Sequence, residues 1–457
     1  MMQNRKWWGL GALMPAMAMI FADQSILPVA LPTIQKELSV SDVQLQWMVN
    51  AYLLTMAVLV LAGGKAVDRM GYRRGFCLGM ILFALTSVSC ALSYSAAWMI
   101  VSRVGQGVGA ALMIPSSMAI QMKIFPASER GKATGINVSI SSFFLIVGPL
   151  LGGFFTQYLS WRWSFWINIP LTMVSLSLVW AFIPSFPKGE GKIDFWGFLI
   201  FAFTCSLLIV STMQGAEWGW LSWAILGSNF SFLVGVFLLL WREKRAKHPF
   251  LDLSLFRHSA FKAANISIFS SQFILMITVF WAIYFQKALH YSPLDAGVIT
   301  FVSSIPVMFM APVAGRISDR FGPKIPIAIG FLLLTYSFFW IGFFSSAKLS
   351  LLLPGLIAFG IGTPFILTPS YATAIHSIPP TKMGIAYGII ATLRNMAASL
   401  GVATIGTAIH SLDIKMPQIE SFAYVNFGLG FLLIAAFAIV FTQYRRIPNV
   451  IRKSDLG

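Results

Sequence analysis

Three charged side chains stand inside apolar runs of this chain, Asp23, Arg103 and Arg394, and the first two are the residues best placed to do chemistry. Of the fifteen acidic residues, fourteen fall in loops, tails or at the edges of apolar stretches, and Asp23 lies well inside one. A carboxylate at membrane depth costs about 2.5–3.5 kcal/mol on insertion scales. Burial disfavours its charged form, so such a group can cycle between protonated and ionised states as water access changes. Arg103 is the second charge inside an apolar run. If its span adjoins that of Asp23, it could stabilise the ionised carboxylate and release it on protonation or ligand entry, which couples a proton to another event. Two plainer readings stay open. Asp23 could lie near the outer, hydrated end of a kinked span, and Arg103 could bond backbone carbonyls beside a glycine-rich turn.

Other chemistries lack their residues. The histidines His248, His258, His290, His376 and His410 are scattered, with no H-E-x-x-H and no nucleophile elbow, so an enzyme has nothing to use. Gly64-Lys65 is followed by alanine and lacks the upstream glycine of a phosphate loop. No ring of like charges or filter-type sequence recurs, which disfavours a channel. Cys77, Cys90 and Cys205 show no C-x-x-C spacing, which argues against disulfides, zinc and redox work. No metal and no cofactor is expected.

The elements that must position the two charges are membrane helices. The chain has 457 residues, 57% hydrophobic and 10% charged, with a mean hydropathy of +0.78. Soluble domains carry roughly 25% charged residues, and lipid is the solvent for so much hydrocarbon. Apolar stretches near 8–32, 45–63, 75–94, 97–122, 133–157, 164–184, 195–215, 221–241, 263–286, 296–315, 325–344, 349–372, 384–410 and 423–443 predict fourteen spans. The first follows Arg5 and Lys6 but is too long for the h-region of a signal peptide, so it is expected to be retained. Sorting the 32 Lys and Arg into alternate loops puts twenty-five on the side of both termini and five on the other, with Arg103 and Arg394 inside runs. The positive-inside rule then places both termini in the cytoplasm. The net charge of +17 is spread between apolar runs rather than clustered on one domain, so it reads as topology and not as a nucleic-acid footprint.

The sequence also repeats. The stretch after span two reads Gly64-Lys-Ala-Val-Asp68-Arg69-Met-Gly71-Tyr-Arg73-Arg74, and that after span ten reads Gly315-Arg-Ile-Ser-Asp319-Arg320-Phe-Gly322-Pro-Lys324, an offset of 251. Gly107-Val-Gly109 and Gly360-Ile-Gly362 repeat at 253, followed by Pro115 and Pro369. Two homologous six-span halves with two extra spans between them account for the spacing, and parallel repeats of this kind characterise transporters that rock two bundles about a midplane site. In the shared G-x-x-x-D-R-x-G stretch, glycines would turn a short loop and let helices approach, the aspartate would sit at a helix N-terminus or pair with arginine, and the basic residues would face anionic lipid. The expected organisation is a six-helix bundle over 1–190, two additional helices over 191–245 and a second bundle over 246–457. The two charges have no counterparts in the second half, where the offsets land on Ile274 and Leu356.

On these motifs the sequence resembles the major facilitator superfamily, and within it the fourteen-helix drug-proton antiporter branch. The likeness covers nearly the whole chain. Asp23-Gln-Ser-Ile-Leu-Pro-Val-Ala-Leu-Pro32 is similar to the branch's first-helix signature, with Ser25 and Pro28 where threonine and asparagine are usual. Arg103-Val-Gly-Gln106-Gly107-Val-Gly109 is similar to the proton-coupling motif. Gly135 through Gly148-Pro149-Leu-Leu-Gly152-Gly153 is similar to the antiporter motif, with Phe144 in place of a small residue. Trp161-Arg-Trp-Ser-Phe-Trp-Ile-Asn168-Ile-Pro170 is also typical of the branch.

The resemblance implies an all-α fold of two six-helix bundles plus two central helices, and a proton-coupled exporter of small lipophilic or cationic compounds working by alternating access. It implies proton coupling at Asp23 and Arg103, and a cytoplasmic gate at Gly64, Asp68, Arg69, Gly71, Arg73, Gly315, Asp319 and Arg320. Gly148, Pro149, Gly152 and Gly153 would form a hinge or seal, although small residues there could serve packing alone. Arg394 resembles a branch feature, structural or coupling. Tyr52, Gln106, Met113 and Gln272 are cavity-facing by analogy. Partners would be a small-molecule substrate, protons and membrane lipid, with no nucleic acid; the protein would be a monomer of a bacterial inner membrane, with room for a periplasmic adaptor. A dedicated exporter of one endogenous metabolite, such as a siderophore or peptide, or an uptake carrier, stays as the alternative.

Overall fold

The structure, a computed structural model, describes residues 2–189, 194–246, 250–346, 348–379 and 382–445. Lys192, Lys247, Arg446, Arg452 and Lys453 of the basic tally, His248, and the expected boundary at 190–191 lie outside the described residues.

Fourteen helices among the described residues are long and apolar enough to cross a membrane. The first six are α1 (Arg5–Leu38), α2 (Asp42–Met70), α3 (Tyr72–Ala91), α4 (Ala96–Ile124), α5 (Ser128–Tyr158) and α6 (Trp163–Phe182). Two more follow, α7 (Phe195–Trp218) and α8 (Trp223–Arg245). The last six are α9 (Ser259–Lys287), α10 (Pro293–Phe321), α11 (Lys324–Phe343), α12 (Leu349–His376), α13 (Ile385–Asp413) and α14 (Gln418–Tyr444). Lipid offers backbone groups no hydrogen bonds, so a helix that satisfies them internally is the form such sequences take.

Most helices run past the apolar stretch that predicts them, and polar caps close several of their starts. Ser41 and Gln44 form a reciprocal capping box at the start of α2, with bonds of 3.2 and 2.9 Å. The Ser95 hydroxyl accepts from Trp98 N–H at 3.3 Å on α4, and Asp194 accepts from Gly197 N–H at 3.1 Å on α7. Helix α1 continues through Pro15, Pro28 and Pro32.

The glycine-rich stretches differ from expectation in one respect. Gly64 and Gly315 are helical, inside α2 and α10. The turns are made by Gly71 at φ +92° and Gly322 at φ +79°, a region that an L side chain enters at a cost of roughly 1–2 kcal/mol. Each turn is thus a single glycine or little more, and the aspartate sits in the last turn of a helix rather than at an N-terminus.

Packing divides the chain into two compact units. One holds Met1–Phe250, Thr278–Phe301 and Val402–Thr407; the other holds Leu251–Ile277, Val302–Gly401 and Ala408–Gly457. In the first unit α3 and α4 cross with backbones nearly touching, since a Cβ on Gly79 would lie 2.8 Å from the Gly109 carbonyl oxygen. In the second unit α11 and α12 cross the same way, a Cβ on Gly330 lying 2.8 Å from the Gly362 carbonyl oxygen. Small residues allow this approach, and van der Waals contact then holds the helices.

The first unit also includes the ends of α9, α10 and α13 away from the basic loops. Gln286 donates to the Val29 carbonyl at 2.9 Å, and Lys287 pairs with Asp42 at 2.9 Å. Leu294 N–H donates to Gln157 at 3.0 Å, and Thr407 donates to the Thr212 carbonyl at 3.0 Å. Helix α7 is held to α2 by Asn50, whose amide donates to the Met213 sulfur at 3.0 Å.

Candidate functional site

Asp23 on α1 and Arg103 on α4 meet. Arg103 Nη1 lies 2.5 Å from Asp23 Oδ2, and the side chains are 1% and 2% exposed. The same Nη1 donates to Gln106 Oε1 at 2.7 Å, and Nε donates to the Met48 carbonyl of α2 at 2.9 Å. The guanidinium lies over the Tyr52 ring, 4.6 Å from its centroid. Arg103 thus pairs with the carboxylate and also satisfies a backbone carbonyl. Burying two charges costs several kcal/mol per ion, which their attraction repays when further hydrogen bonds are made; here Nε and Nη1 of Arg103 and both Asp23 oxygens have partners.

Gln106, one turn along α4, completes the cluster. Its amide nitrogen donates to Asp23 Oδ1 at 3.4 Å and to the Ser87 hydroxyl of α3 at 2.8 Å. Its oxygen also accepts from the Cys90 thiol at 3.5 Å. Ser87 receives a second donor, the Asn168 amide of α6, at 3.2 Å. Five helices therefore converge on one buried carboxylate.

Helix α5 lies against α1 beside this cluster. A Cβ on Gly152 would sit 2.5 Å from the Ile26 carbonyl oxygen, and one on Gly148 would overlap the Ser25 hydroxyl. The other side of the same stretch faces α10, where a Cβ on Gly153 would lie 2.6 Å from the Pro293 carbonyl oxygen and one on Gly297 2.4 Å from that of Pro149. The four residues Gly148, Pro149, Gly152 and Gly153 thus grip two helices at once, one turn and more beyond Phe144.

Residues 13–402, and again 263–453, match the profile of the Major Facilitator Superfamily. The chain belongs to the major facilitator superfamily. It is 31% identical over 402 residues to the multidrug resistance protein Stp of Mycobacterium tuberculosis, covering 86% of this chain and 73% of that one. It is 31% identical over 404 residues to the riboflavin transporter RibZ of Clostridioides difficile, covering 88% and 87%. The fold matches the crystal structure of a POT family transporter in complex with a thioalcohol conjugated peptide, with a TM-score of 0.71 at 17% identity over 96% and 97% of the chains. The protein is therefore a multi-pass membrane transporter and not an enzyme.

The other residues singled out by the facilitator motifs are distributed as follows. In the first Asp-Arg stretch, Asp68 is half-buried, bonded through its carboxylate to Tyr72 and through its carbonyl to Gly189 N–H at 2.7 Å. Arg73 lies over the Trp180 ring at 4.6 Å, Arg69 is exposed, and a Cβ on Gly64 would lie 3.5 Å from the Pro115 side chain. In the second, Asp319 and Arg320 are exposed, Arg320 lies over its neighbour Phe321 at 5.2 Å, and a Cβ on Gly315 would lie 3.7 Å from the Thr368 side chain. Arg394 is half-buried on α13 beside buried Asn395. Of the residues expected to face a cavity, Tyr52 and Gln106 belong to the ion-pair cluster, Met113 is fully buried against Gly79, and Gln272 is half-buried on α9.

Sequence reasoning did not single out Ser87 or the Met48 carbonyl, gave Cys90 no part in the site, and met Asn168 only as part of a motif. An asparagine inside an apolar run is a readable signal; a serine there is not, since it can bond its own helix.

Two ion pairs lie between the spans, near the basic loops. Arg242 embraces Asp194 with bonds of 2.6 and 3.1 Å. Burial raises this carboxyl, but the Arg242 bonds and Gly197 N–H outweigh it and hold it below the ordinary aspartate range. Lys382 pairs with Asp252 at 2.9 Å. Burial again works upward, and Ser254 and Lys382 prevail, so that carboxyl too is held low.

Proposed function

We propose that the protein exports small lipophilic or cationic compounds in exchange for protons by alternating access, with Asp23 as the proton site and Arg103 as its coupling partner. The observation that carries this reading is the buried Asp23–Arg103 pair, in contact at 2.5 Å. A buried pair is weak stabilisation compared with apolar packing, so its retention points to a switch. Protonating Asp23 frees Arg103 and Gln106 to seek other partners, and helices α1, α2 and α4 that carry them respond. The Gly148–Gly153 stretch, pressed on α1 and on α10, is where that response reaches the outer ends of the helices. The Asp68 and Asp319 stretches form the cytoplasmic gate, the chain is organised as six-helix halves over 1–190 and 246–457 with α7 and α8 inserted, and Arg394 supports α13.

The driving force is the proton gradient, whose electrical part supplies about 2.3 kcal/mol per charge per 100 mV. Export of antibiotics from a bacterial inner membrane, as a monomer in lipid with or without a periplasmic adaptor, is the setting this chemistry fits. Kinship with Stp supports a broad substrate range. Kinship with RibZ favours the second reading, a carrier of one metabolite.

The test is proton release from proteoliposomes under an imposed pH gradient, with tetraphenylphosphonium and ethidium as lipophilic cations. Substrate-evoked proton flux in the parent, absent in Asp23→Asn, is expected. Flux that survives Asp23→Asn removes the proton from that residue. A parent silent to the cations but active with riboflavin favours the metabolite carrier, and net uptake favours an importer.

A further inference from the structure

The chain of amides that ends at Asp23 begins on a helix with no charge in the cluster. Asn168 is 2% exposed and stands where α6 is interrupted, after Ile167 and two residues before Pro170. Its amide does not bond its own helix. It donates across to Ser87 Oγ at 3.2 Å, which already accepts from Gln106 at 2.8 Å. A serine oxygen has two lone pairs, and both are taken, so Ser87 is held as an acceptor with its own proton turned away.

That assignment fixes Gln106. With Ser87 held as an acceptor, the amide nitrogen must face Ser87 and, with its second proton, Asp23 Oδ1 at 3.4 Å; the oxygen faces Arg103 at 2.7 Å. Turned by half a rotation, the amide would set oxygen against an ionised carboxylate and nitrogen against a guanidinium. It would also need Ser87 as donor. The present orientation suits ionised Asp23; the opposite one suits protonated Asp23 once Arg103 has swung away, when the carboxyl O–H could donate to the amide oxygen. Ser87 can serve either orientation, because a hydroxyl both donates and accepts.

We infer that Asn168 is a positioning residue for the proton site: by holding Ser87 as acceptor it keeps the Gln106 amide donating to Asp23 and so favours the deprotonated state. This rests on the reading of Asp23 as the proton site. The charged and titratable groups that face the cluster are Asp23 of α1, Tyr52 of α2, Cys90 of α3 and Arg103 of α4; α6 contributes the neutral Asn168. A donor removed at one remove from a carboxylate makes the protonated form easier to reach.

The experiment is an infrared titration of the purified full chain in lipid nanodiscs without substrate, following the carboxylic acid C=O band that Asp23→Asn abolishes. In Asn168→Leu the midpoint of that band is expected to rise by about half a pH unit to one unit, the scale of one lost hydrogen bond. Ser87→Ala is expected to shift it similarly. Asn168→Leu combined with Ser87→Ala should shift no further than Ser87→Ala alone, because Asn168 acts through Ser87, and Asn168→Gln should return the midpoint toward the parent. An unmoved midpoint in Asn168→Leu, or shifts that add in the double variant, overturns the inference while leaving Asp23 as the proton site. If Asn168→Leu does not fold, Ser87→Ala with a parental midpoint overturns it equally. A titrating band that survives Asp23→Asn instead defeats the assignment of Asp23 and the inference with it.

Discussion

The crossing of α3 and α4 in the first unit and that of α11 and α12 in the second are built from matching residues. Gly79 meets the Gly109 carbonyl and Gly330 meets that of Gly362, each at 2.8 Å from the added Cβ. The glycine pairs stand at the offsets of 251 and 253 that relate the two halves of the sequence. The turns Gly71 and Gly322 share a positive φ as well. The polar chemistry is not repeated. Where the first half has Asp23 and Arg103, the second has Ile274 and Leu356, 2% and 1% exposed and apolar. Backbone approach is thus a property of the repeat, while the ion pair belongs to one copy. A shared scaffold constrains small residues in both halves and leaves charge free to specialise in one.

The largest expected effect tests that asymmetry directly. Arg103→Met leaves Asp23 buried without its partner, and breaking a buried pair costs about 3–5 kcal/mol; thermal unfolding should drop accordingly and proton-coupled flux should vanish. Leu356→Met, the equivalent position, conserves volume and should cost less than about 1.5 kcal/mol, with flux within about twofold of the parent. Comparable losses from both substitutions would end the claim that one half holds the chemistry.

Next come the glycines. In Gly152→Ala the new Cβ meets backbone at Ile26, 2.5 Å away, which cannot move aside, and overpacking of this kind costs about 1–3 kcal/mol. In Gly148→Ala the obstacle is the Ser25 hydroxyl, a side chain that can rotate, so the loss in thermal stability should be smaller. Gly428→Ala on α14 meets nothing within 4 Å and should raise stability by up to about 1 kcal/mol through helix propensity.

The Asp-Arg stretches should differ more modestly. Asp68→Asn disturbs a half-buried carboxylate tied to Tyr72, at about 1 kcal/mol for a hydrogen bond, whereas Asp319 is exposed. Drug efflux from cells should therefore fall further for Asp68→Asn than for Asp319→Asn, and the reverse order would show that the exposed copy does more of the gating.

The smallest effect is acid sensitivity. Asp194 and Asp252 are both held below the ordinary aspartate range. Their contributions are complete above about pH 5 and are lost as pH falls through the lowered values. The stability difference between parent and Asp194→Asn should be constant from neutral pH to about 5 and shrink below about 4. The bidentate Arg242 contact should make that difference larger than for Asp252→Asn, where a single lysine serves.

The spans were readable because length and apolarity are all that lipid demands of a helix, and Asp23 and Arg103 because a charge in hydrocarbon stands out against its neighbours. Their contact was readable only as a possibility, since it depends on how α1 and α4 face each other. Gly64 and Gly315 looked like turn residues because glycine serves turns and close packing equally, and the structure uses them within helices. The part played by Ser87 was not legible: a membrane serine commonly bonds its own helix, as Ser102 does to the Trp98 carbonyl at 2.9 Å. Which serine is turned outward is decided by Gln106 and Asn168, nineteen residues and more away in sequence.

The contacts of Pro293 and Gly297 with the Gly153 and Pro149 faces also bear on synthesis. The ribosome finishes α5 long before it reaches α10, so the nascent chain enters the membrane with that small-residue face of α5 not yet covered by α10. It must wait some 140 residues of translation for its cover, as the positions of Gly153 and Pro293 require. A stalled chain ending after α8 would present that face to membrane proteases and insertion chaperones, and its lifetime in the cell would be set by them.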